Sequence, residues 1–404
     1  MTKGMAVQKY GGTSLADRVA MLTCAQNIVK TRQQGWDPVV IVSAMGRRGN
    51  PYATDTLLDQ AFSVNDKPAQ RELDMLAACG EVIASVLLAL TLQKLDCPAV
   101  ALNGFQAGIR TNSQFGTAEI IKIDVSRITE LTKQRIVPVI CGYQGVNANG
   151  EITTLGRGGS DISAVAVASA LETDTVTIYT DVSAVRTADP KLVAKALPIY
   201  SLNYQEVLEM AVEGARVIHP RAVEMAMAKE LKIIITSLIE TSNHKTEIGP
   251  RASVLNGEPR IRAITHISDL TRFIIELTPE RVAELLDQAA TQGITMDLIS
   301  LSENQQSFTV KQTAGEKISR MLNTQKLAYT RVDRCSKISL IGTGVRGLAG
   351  IMTKVFRTLS DKQIPVLQSS DSYTQIALLI PQDHEREAVN SLHKVLFEEG
   401  ERND

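Results

Sequence analysis

Short β-branched runs alternate with longer helical patterns through the first 240 residues, the rhythm of a sheet whose strands are joined by crossover helices. Ala6 to Lys9, Pro38 to Ser43, Ala99 to Leu102, Pro138 to Tyr143, Thr175 to Tyr179 and Lys232 to Thr236 read as strands. Leu15 to Gln34, Arg71 to Lys94, Asp161 to Leu171 and Tyr204 to Glu230 read as helices between them. The pattern predicts an α/β fold with a layered, mostly parallel sheet ending near Thr241, and places its ligands outside the carboxyl ends of the strands. After the polar stretch Thr241 to Gly257 the rhythm shortens and repeats. Helix Glu280 to Gln292 leads into Gly293 to Val310, and helix Ala349 to Lys362 leads into Gln363 to Ile380, with Ile294 and Ile364 in equivalent places 70 residues apart. Two such units predict a duplicated ferredoxin-like module. The expected domains are therefore 1–245, 261–330 and 331–404, and the last two are free to interleave.

Composition narrows the function classes. The chain has 404 residues and a net charge of -1, with 43 Lys and Arg against 44 Asp and Glu. No global field favours nucleic acid or an anionic membrane, so any anion needs a local site. The five cysteines are scattered and show no metal spacing, the start of the chain lacks an apolar core, and no run reaches about 18 consecutive apolar residues. A cytoplasmic protein with reduced thiols is expected, with no resident metal site.

Candidate chemistry lies in a few loops. In VQKYGGTS, from Val7, a strand ends at Lys9, and Gly11 and Gly12 let backbone N–H groups approach phosphate oxygens. An ordinary strand-to-helix turn explains the same residues equally well. No Walker or dinucleotide glycine pattern occurs. Ile41 to Leu58 leaves a second strand through Ser43, Ala44 and Gly46, and its Arg47-Arg48-Gly49-Asn50-Pro51 segment is either a flap on the substrate side or a solvated loop. Glu81 opens an apolar helix, either as a dipole-favoured carboxylate or as a grip for an ammonium. TTLGRGGSD, from Thr153, combines three glycines with Arg157, whose fork suits a carboxylate, and places Ser160 and Asp161 at a helix start. Asp161 near phosphates needs a cation beside it. Thr180 and Asp181 end a strand, where a connecting loop and a nucleotide contact both remain open, and His219 before Pro220 reads as helix-end packing. No Ser/His/Asp nucleophile constellation is visible.

The order KYGGTS, SAMG, GE, TLGRGGSD, YTDV and ADP, followed by two repeats like ACT modules, resembles the aspartate kinase branch of the amino acid kinase family over nearly the whole chain. The resemblance implies ATP-dependent phosphorylation of the L-aspartate side chain with Mg²⁺ on the nucleotide, giving 4-phospho-L-aspartate at the head of lysine, threonine, methionine and diaminopimelate synthesis. It implies catalytic roles for Lys9, Arg157 and Asp161, and substrate contacts from Ser43, Thr54, Glu81, Arg157, Ser160 and Asp161. Lys9, Tyr10, Gly11, Gly12, Thr180, Asp181, Arg186 and Lys191 would hold the nucleotide. A regulatory amino acid (diaminopimelate, lysine or threonine) would bind the ACT modules, with Asp297, Gly350 and Gln368 as candidates, and these modules would build a homodimer or higher oligomer.

The chain departs from the family on the nucleotide side. Ser183-Ala184-Val185-Arg186-Thr187 stands for Asp-Gly-Val-Tyr-Thr, and Asp189-Pro190-Lys191 for Asp-Pro-Arg. The extra residues at Arg47 to Thr54, the repeat spacing and Gln368 to Ser372 are similar to the short aspartokinases of Bacillus type that respond to diaminopimelate. The other readings are a kinase for a related carboxylate such as glutamate, and a sensor without catalysis.

Overall fold

The computed structural model describes residues 3–215, 217–238, 244–250, 260–276, 279–302, 305–345, 348 and 350–398. Most of the polar stretch Thr241 to Gly257, and positions 277, 278 and 349 near the two expected helix starts, lie outside these residues. Two compact units emerge, one of Met1–Val185, Pro198–Ala211 and Arg216–Val254, the other of Arg186–Leu197, Val212–Ala215 and Leu255–Asp404.

The first unit is built on an eight-stranded sheet. Its spatial order is Ser201–Asn203, Thr246–Gly249, Lys232–Thr236, Thr175–Tyr179, Met5–Tyr10, Asp37–Val42, Val137–Cys141 and Ala99–Leu102. All neighbours are parallel except Lys232–Thr236 with Thr246–Gly249. Strand Asp37–Val42 lies inside the sheet and buries every residue but the first, as a strand covered on both faces should. Helices Arg18–Gln33 and Cys79–Lys94 cover one face, where Ile28, Leu88 and Leu92 pack on Val40 and Val42. Asp17 starts the first of these helices by accepting from Val19 N and Ala20 N, both at 2.9 Å.

Two expected helices are each divided. Arg71 to Lys94 is Gln70–Ala77 followed by Cys79–Lys94, because Gln144 Nε2 donates to Ala78 O at 2.9 Å and intrudes on the helical ladder. The whole stretch Gln70–Lys94 is apolar and long enough to cross a membrane, yet half of its most apolar window is buried in this unit. Tyr204 to Glu230 is Tyr204–Val212 followed by Pro220–Ala228, since Gly214 and Pro220 both interrupt helical backbone. A second, four-stranded sheet of Ile120–Ile123, Ile109–Thr111, Gln144–Val146 and Ile152–Thr154 adds to the unit. Buried Asp74 ties it to helix Gln70–Ala77, accepting from Gly116 N and Thr154 N at 2.8 Å each and from Thr154 Oγ1 at 3.0 Å.

The second unit is a six-stranded antiparallel sheet ordered Asp297–Leu301, Gln306–Lys311, Arg260–Ile275, Tyr329–Thr343, Gln375–Pro381 and Gln368–Asp371. Its two long central strands each serve both repeats. Leu270–Ile275 pairs with Gln306–Lys311, whereas Ile261–Ile267 lies beside Lys337–Gly342 and so completes the second repeat. Register shifts near Ile267 and Leu270 mark the changeover. Phe273, Leu285, Phe308 and Ile318 form one core, and Ile264, Leu340, Leu359 and Leu378 the other, which also takes in Val193 from Arg186–Leu197.

Lys337, at the centre of this sheet, is 3% exposed and meets Glu213 Oε2 at 2.8 Å, with Asp297 as its second carboxylate partner. Ser339 Oγ donates to Glu213 Oε2 at 2.6 Å. Burial alone would lower the Lys337 pKa, and its bonds to Asp297 and Glu213 outweigh that and leave it raised. Removing one member strands the other charge in the interior, which costs about 3–5 kcal/mol. Lys337→Met is expected to lose about that much in urea unfolding of the second unit; a loss below about 1 kcal/mol would show that the triad is not a structural anchor.

Candidate active site

Three neighbouring parallel strands, Thr175–Tyr179, Met5–Tyr10 and Asp37–Val42, deliver their carboxyl ends to one place. Below it, the Tyr10 and Tyr179 rings stack with centroids 4.8 Å apart, and Asn27 Nδ2 donates to the Tyr10 hydroxyl at 2.9 Å. The Tyr10 side chain is fully buried, so this nucleotide candidate offers the site its backbone, not its ring. Gly11 N donates to Tyr179 O at 3.0 Å, and Ser43 N to Tyr10 O at 3.1 Å, which locks the three strand ends together. A Cβ on Gly12 would stand 2.5 Å from Ala44 O and 2.7 Å from Gly46 O. Only glycine fits that crossing, and its backbone is thereby held at the mouth of the sheet.

Charges are concentrated beside this turn. Lys9 Nζ lies 2.7 Å from Asp161 Oδ1, with side chains 9% and 14% exposed. Lys9 is the cationic partner of that carboxylate oxygen. Glu81, 3% exposed in the first turn of helix Cys79–Lys94, accepts from Ala44 N at 2.9 Å through Oε1, and its buried Oε2 has no partner. Desolvation raises its pKa from 4.5 to about 8, against the lowering influence of the Ala44 hydrogen bond and the Lys9 charge. A carboxylate with a partnerless buried oxygen suits a cationic donor from a ligand. Ser43 Oγ and Ser160 Oγ, 2.7 Å apart, tie the second strand's loop to helix Gly159–Ala170.

That helix follows the glycine loop. Gly158 takes φ 69°, and a Cβ there would lie 2.2 Å from the His219 Cβ. His219 in turn caps helix Pro220–Ala228, its Nδ1 accepting from Arg221 N at 3.3 Å, while Arg221 donates to Leu155 O at 3.2 Å. His219 is thus the packing residue that the sequence suggests, and it also seats the loop. Arg157 is exposed and has no hydrogen-bond or ion-pair partner among the described residues. The loop offers its guanidinium freely while fixing Asp161.

The structure brings Lys9, Gly11, Gly12, Ser43, Glu81, Ser160 and Asp161 into contact or near contact in the first unit. Thr54, half-buried, starts helix Thr54–Val64 after the Arg47 loop. Thr180 N donates to Thr236 O at 2.9 Å and its hydroxyl to Asp181 Oδ1 at 3.1 Å. Arg186 and Lys191 fall in the second unit, where Arg186 donates to Ala196 O at 3.2 Å and Lys191 is exposed. Of the effector candidates, Asp297 pairs with Lys337, Gln368 bonds to Leu298 O and accepts from Ser307 Oγ at 3.1 Å, and Gly350 precedes helix Ile351–Asp361. Asp297 and Gln368 therefore share one neighbourhood. No cluster of three His, Cys, Asp or Glu residues able to hold a metal occurs among the described residues.

Comparison with known proteins defines the class. Residues 4–237 match the Amino acid kinase family, and residues 330–394 match the ACT domain, so the chain joins a kinase unit to a regulatory one. It is 36% identical to Aspartokinase 1 of Bacillus subtilis, covering 96% of this chain and 98% of that one, and 35% identical to the aspartokinase of Geobacillus stearothermophilus, covering 97% of each. The fold is shared with Escherichia coli aspartokinase III (TM-score 0.76, 23% identity, 97% of this chain and 100% of the other) and Clostridium acetobutylicum aspartate kinase (TM-score 0.77, 21% identity, 97% and 100%). The chain belongs to the aspartokinase family.

Glu81 yields a pH signature. Its folded pKa is raised, so its contribution to stability is complete below about 4.5 and is lost as pH rises through about 8. Glu81→Gln is expected to flatten the fall of unfolding free energy over that window, whose slope is at most about 1.4 kcal/mol per pH unit. Identical pH profiles for the two proteins would contradict a buried, strained carboxylate.

Proposed function

We infer that the chain phosphorylates the side-chain carboxylate of L-aspartate with MgATP, giving 4-phospho-L-aspartate and ADP, and that the observation carrying this reading is the partnerless buried oxygen of Glu81 beside the Lys9–Asp161 pair. In this reading Glu81 receives the substrate ammonium, which restores its charge at neutral pH, and Arg157 clasps the α-carboxylate with its planar fork. Ser43 and Ser160 hold the substrate between the two loops. The β-carboxylate is already ionised at neutral pH and needs no general base. It attacks the γ-phosphorus in line, the new P–O bond forms as the bond to the β-γ bridging oxygen breaks, and ADP leaves with that oxygen's electron pair. Lys9 neutralises the transferring oxygens, and the Gly11–Gly12 backbone cradles the phosphates. Mg²⁺ would enter with the nucleotide, and Asp161 is the carboxylate beside the glycine turn that would hold it together with the phosphates, since Mg²⁺ in such sites is held by one or two carboxylates and the phosphates. Thr180 and Asp181 receive the nucleotide's hydroxyls.

Structures of the same fold agree with this assignment. The Escherichia coli enzyme is described in complex with aspartate and ADP, and in another structure with lysine and aspartate. By analogy the ACT repeats here bind a regulatory amino acid, with lysine, threonine and diaminopimelate as candidates. Edge strand Asp297–Leu301 leaves Ile299 and Leu301 exposed, which supports assembly through the regulatory unit. The five cysteines are all free and four are buried, in keeping with a cytoplasmic location.

A coupled ADP-release assay at saturating MgATP is expected to respond to L-aspartate and not to glutamate, and no aspartate turnover would refute the assignment. Lys9→Ala should lower kcat by about 10²–10³-fold with a far smaller effect on folding stability; a matching loss of both would make Lys9 structural. In a thermal-shift panel, one of lysine, threonine and diaminopimelate should raise the unfolding temperature and change the rate. No response to any of the three would leave the ACT repeats purely architectural.

A further inference from the structure

The loop after strand Asp37–Val42 carries an arginine that neither the family pattern nor the reading above employs. In the sheet, Met5–Tyr10 lies between Asp37–Val42 and Thr175–Tyr179. The middle strand ends in the Gly11–Gly12 cradle, and the flanking strands lead to Arg47 on one side and Asp181 on the other. Those flanking strands stand two inter-strand spacings apart, roughly 9–10 Å. Arg47 and Asp181 nonetheless form an ion pair, so their side chains reach across the end of the middle strand.

The arginine is aimed by its backbone. Gly46 N donates to Gly12 O at 2.9 Å, so the loop starts from the cradle itself. Arg47 N donates to Asn50 Oδ1, and Asn50 N to Arg47 O, both at 2.8 Å, which closes a tight turn around Arg47. Arg48, its neighbour, is drawn instead to Asp59 on helix Thr54–Val64 at 3.4 Å. The Arg47 and Asp181 side chains are 68% and 42% exposed, and a pair that open contributes about 0–1 kcal/mol to folding. Stability gives little reason for a constrained loop to project a guanidinium across the end of the strand that leads into Gly11 and Gly12.

We propose that Arg47 is a nucleotide-binding residue that contacts the phosphate oxygens of ATP from the side opposite Lys9, with Asp181 orienting its guanidinium across the cradle. The proposal rests on the reading that places the nucleotide over Gly11 and Gly12. Lys9 is buried in the floor of the site and serves the transferring group, while Arg47 approaches from the solvent side. Its planar fork donates two parallel hydrogen bonds to a phosphate and still leaves donors for Asp181.

Two readouts on the full-length protein test this. In steady-state kinetics, Arg47→Ala should raise the KM for MgATP about tenfold or more, leave the KM for aspartate within about twofold and leave the unfolding temperature unchanged; Arg47→Lys should recover part of the loss, and Arg48→Ala should match the wild type. In calorimetric titration with a non-hydrolysable β,γ-imido ATP and Mg²⁺, Arg47→Ala should weaken binding by a similar factor. An unchanged KM and Kd for nucleotide, or an equal rise in KM for both substrates, would overturn the proposal and leave a solvated surface pair. If the wild type binds the ATP analogue but does not phosphorylate aspartate, the functional reading fails while the titration still decides the role of Arg47. If the wild type binds no nucleotide, both fall.

Discussion

The kinase unit depends on the ordering of three parallel strand ends around a small set of buried charges. Lys9, Asp161 and Glu81 are nearly removed from water, a state that is costly unless each charge is compensated. Lys9 and Asp161 compensate each other. Desolvation of Glu81 outweighs the backbone N–H groups of Ala44 and Glu81 itself and the Lys9 charge, and leaves its pKa raised to about 8. The sheet tolerates this because its hydrophobic layers are extensive and its strand ends are cross-tied through Gly11, Tyr179, Ser43 and Tyr10. Strain concentrated at one place in an otherwise well-packed unit is characteristic of a site tuned to a ligand.

The same logic explains where glycine is required. Gly12 admits the crossing of two loops and Gly158 admits His219, so the phosphate cradle and the substrate loop are both shaped by backbone with side chains withdrawn. Phosphoryl transfer asks mainly for position and charge, and rigid backbone supplies position. In the regulatory unit a different buried charge, Lys337, is fully matched by Glu213 and Asp297. Each cluster holds one lysine and two carboxylates; both carboxylates of the second contact its lysine, whereas Glu81 Oε2 in the first has no partner, and that is where substrate is assigned.

Much of this was legible in the sequence where the signal was local. Six of the eight strands of the large sheet, all but Ser201–Asn203 and Thr246–Gly249, the KYGGTS and TLGRGGSD loops and the duplicated ferredoxin-like rhythm are short-range patterns of period or composition. The four-stranded sheet escaped because most of its strands have three residues and are organised by Asp74, whose partners Gly116 and Thr154 are 42 and 80 residues away. The helix division at Ala78 came from Gln144, 66 residues off. The resemblance implies a nucleotide contact at Tyr10; alternation along its strand sends its ring into the core against Tyr179, which leaves the backbone at the site. The placement of Arg186–Leu197 and Val212–Ala215 in the regulatory unit likewise reflects long-range packing, with no local marker.

The central claim is that a carboxylate oxygen of aspartate becomes bonded to the γ-phosphorus of ATP. The direct measurement uses L-aspartate labelled with ¹⁸O in both side-chain oxygens, MgATP and hydroxylamine, which attacks the acyl carbon of any phospho-aspartate and releases its phosphate. The account predicts aspartyl hydroxamate together with inorganic phosphate bearing one ¹⁸O atom, seen as an isotope shift by ³¹P NMR. Unlabelled phosphate without hydroxamate would mean that water, not aspartate, receives the phosphoryl group, and would contradict the account.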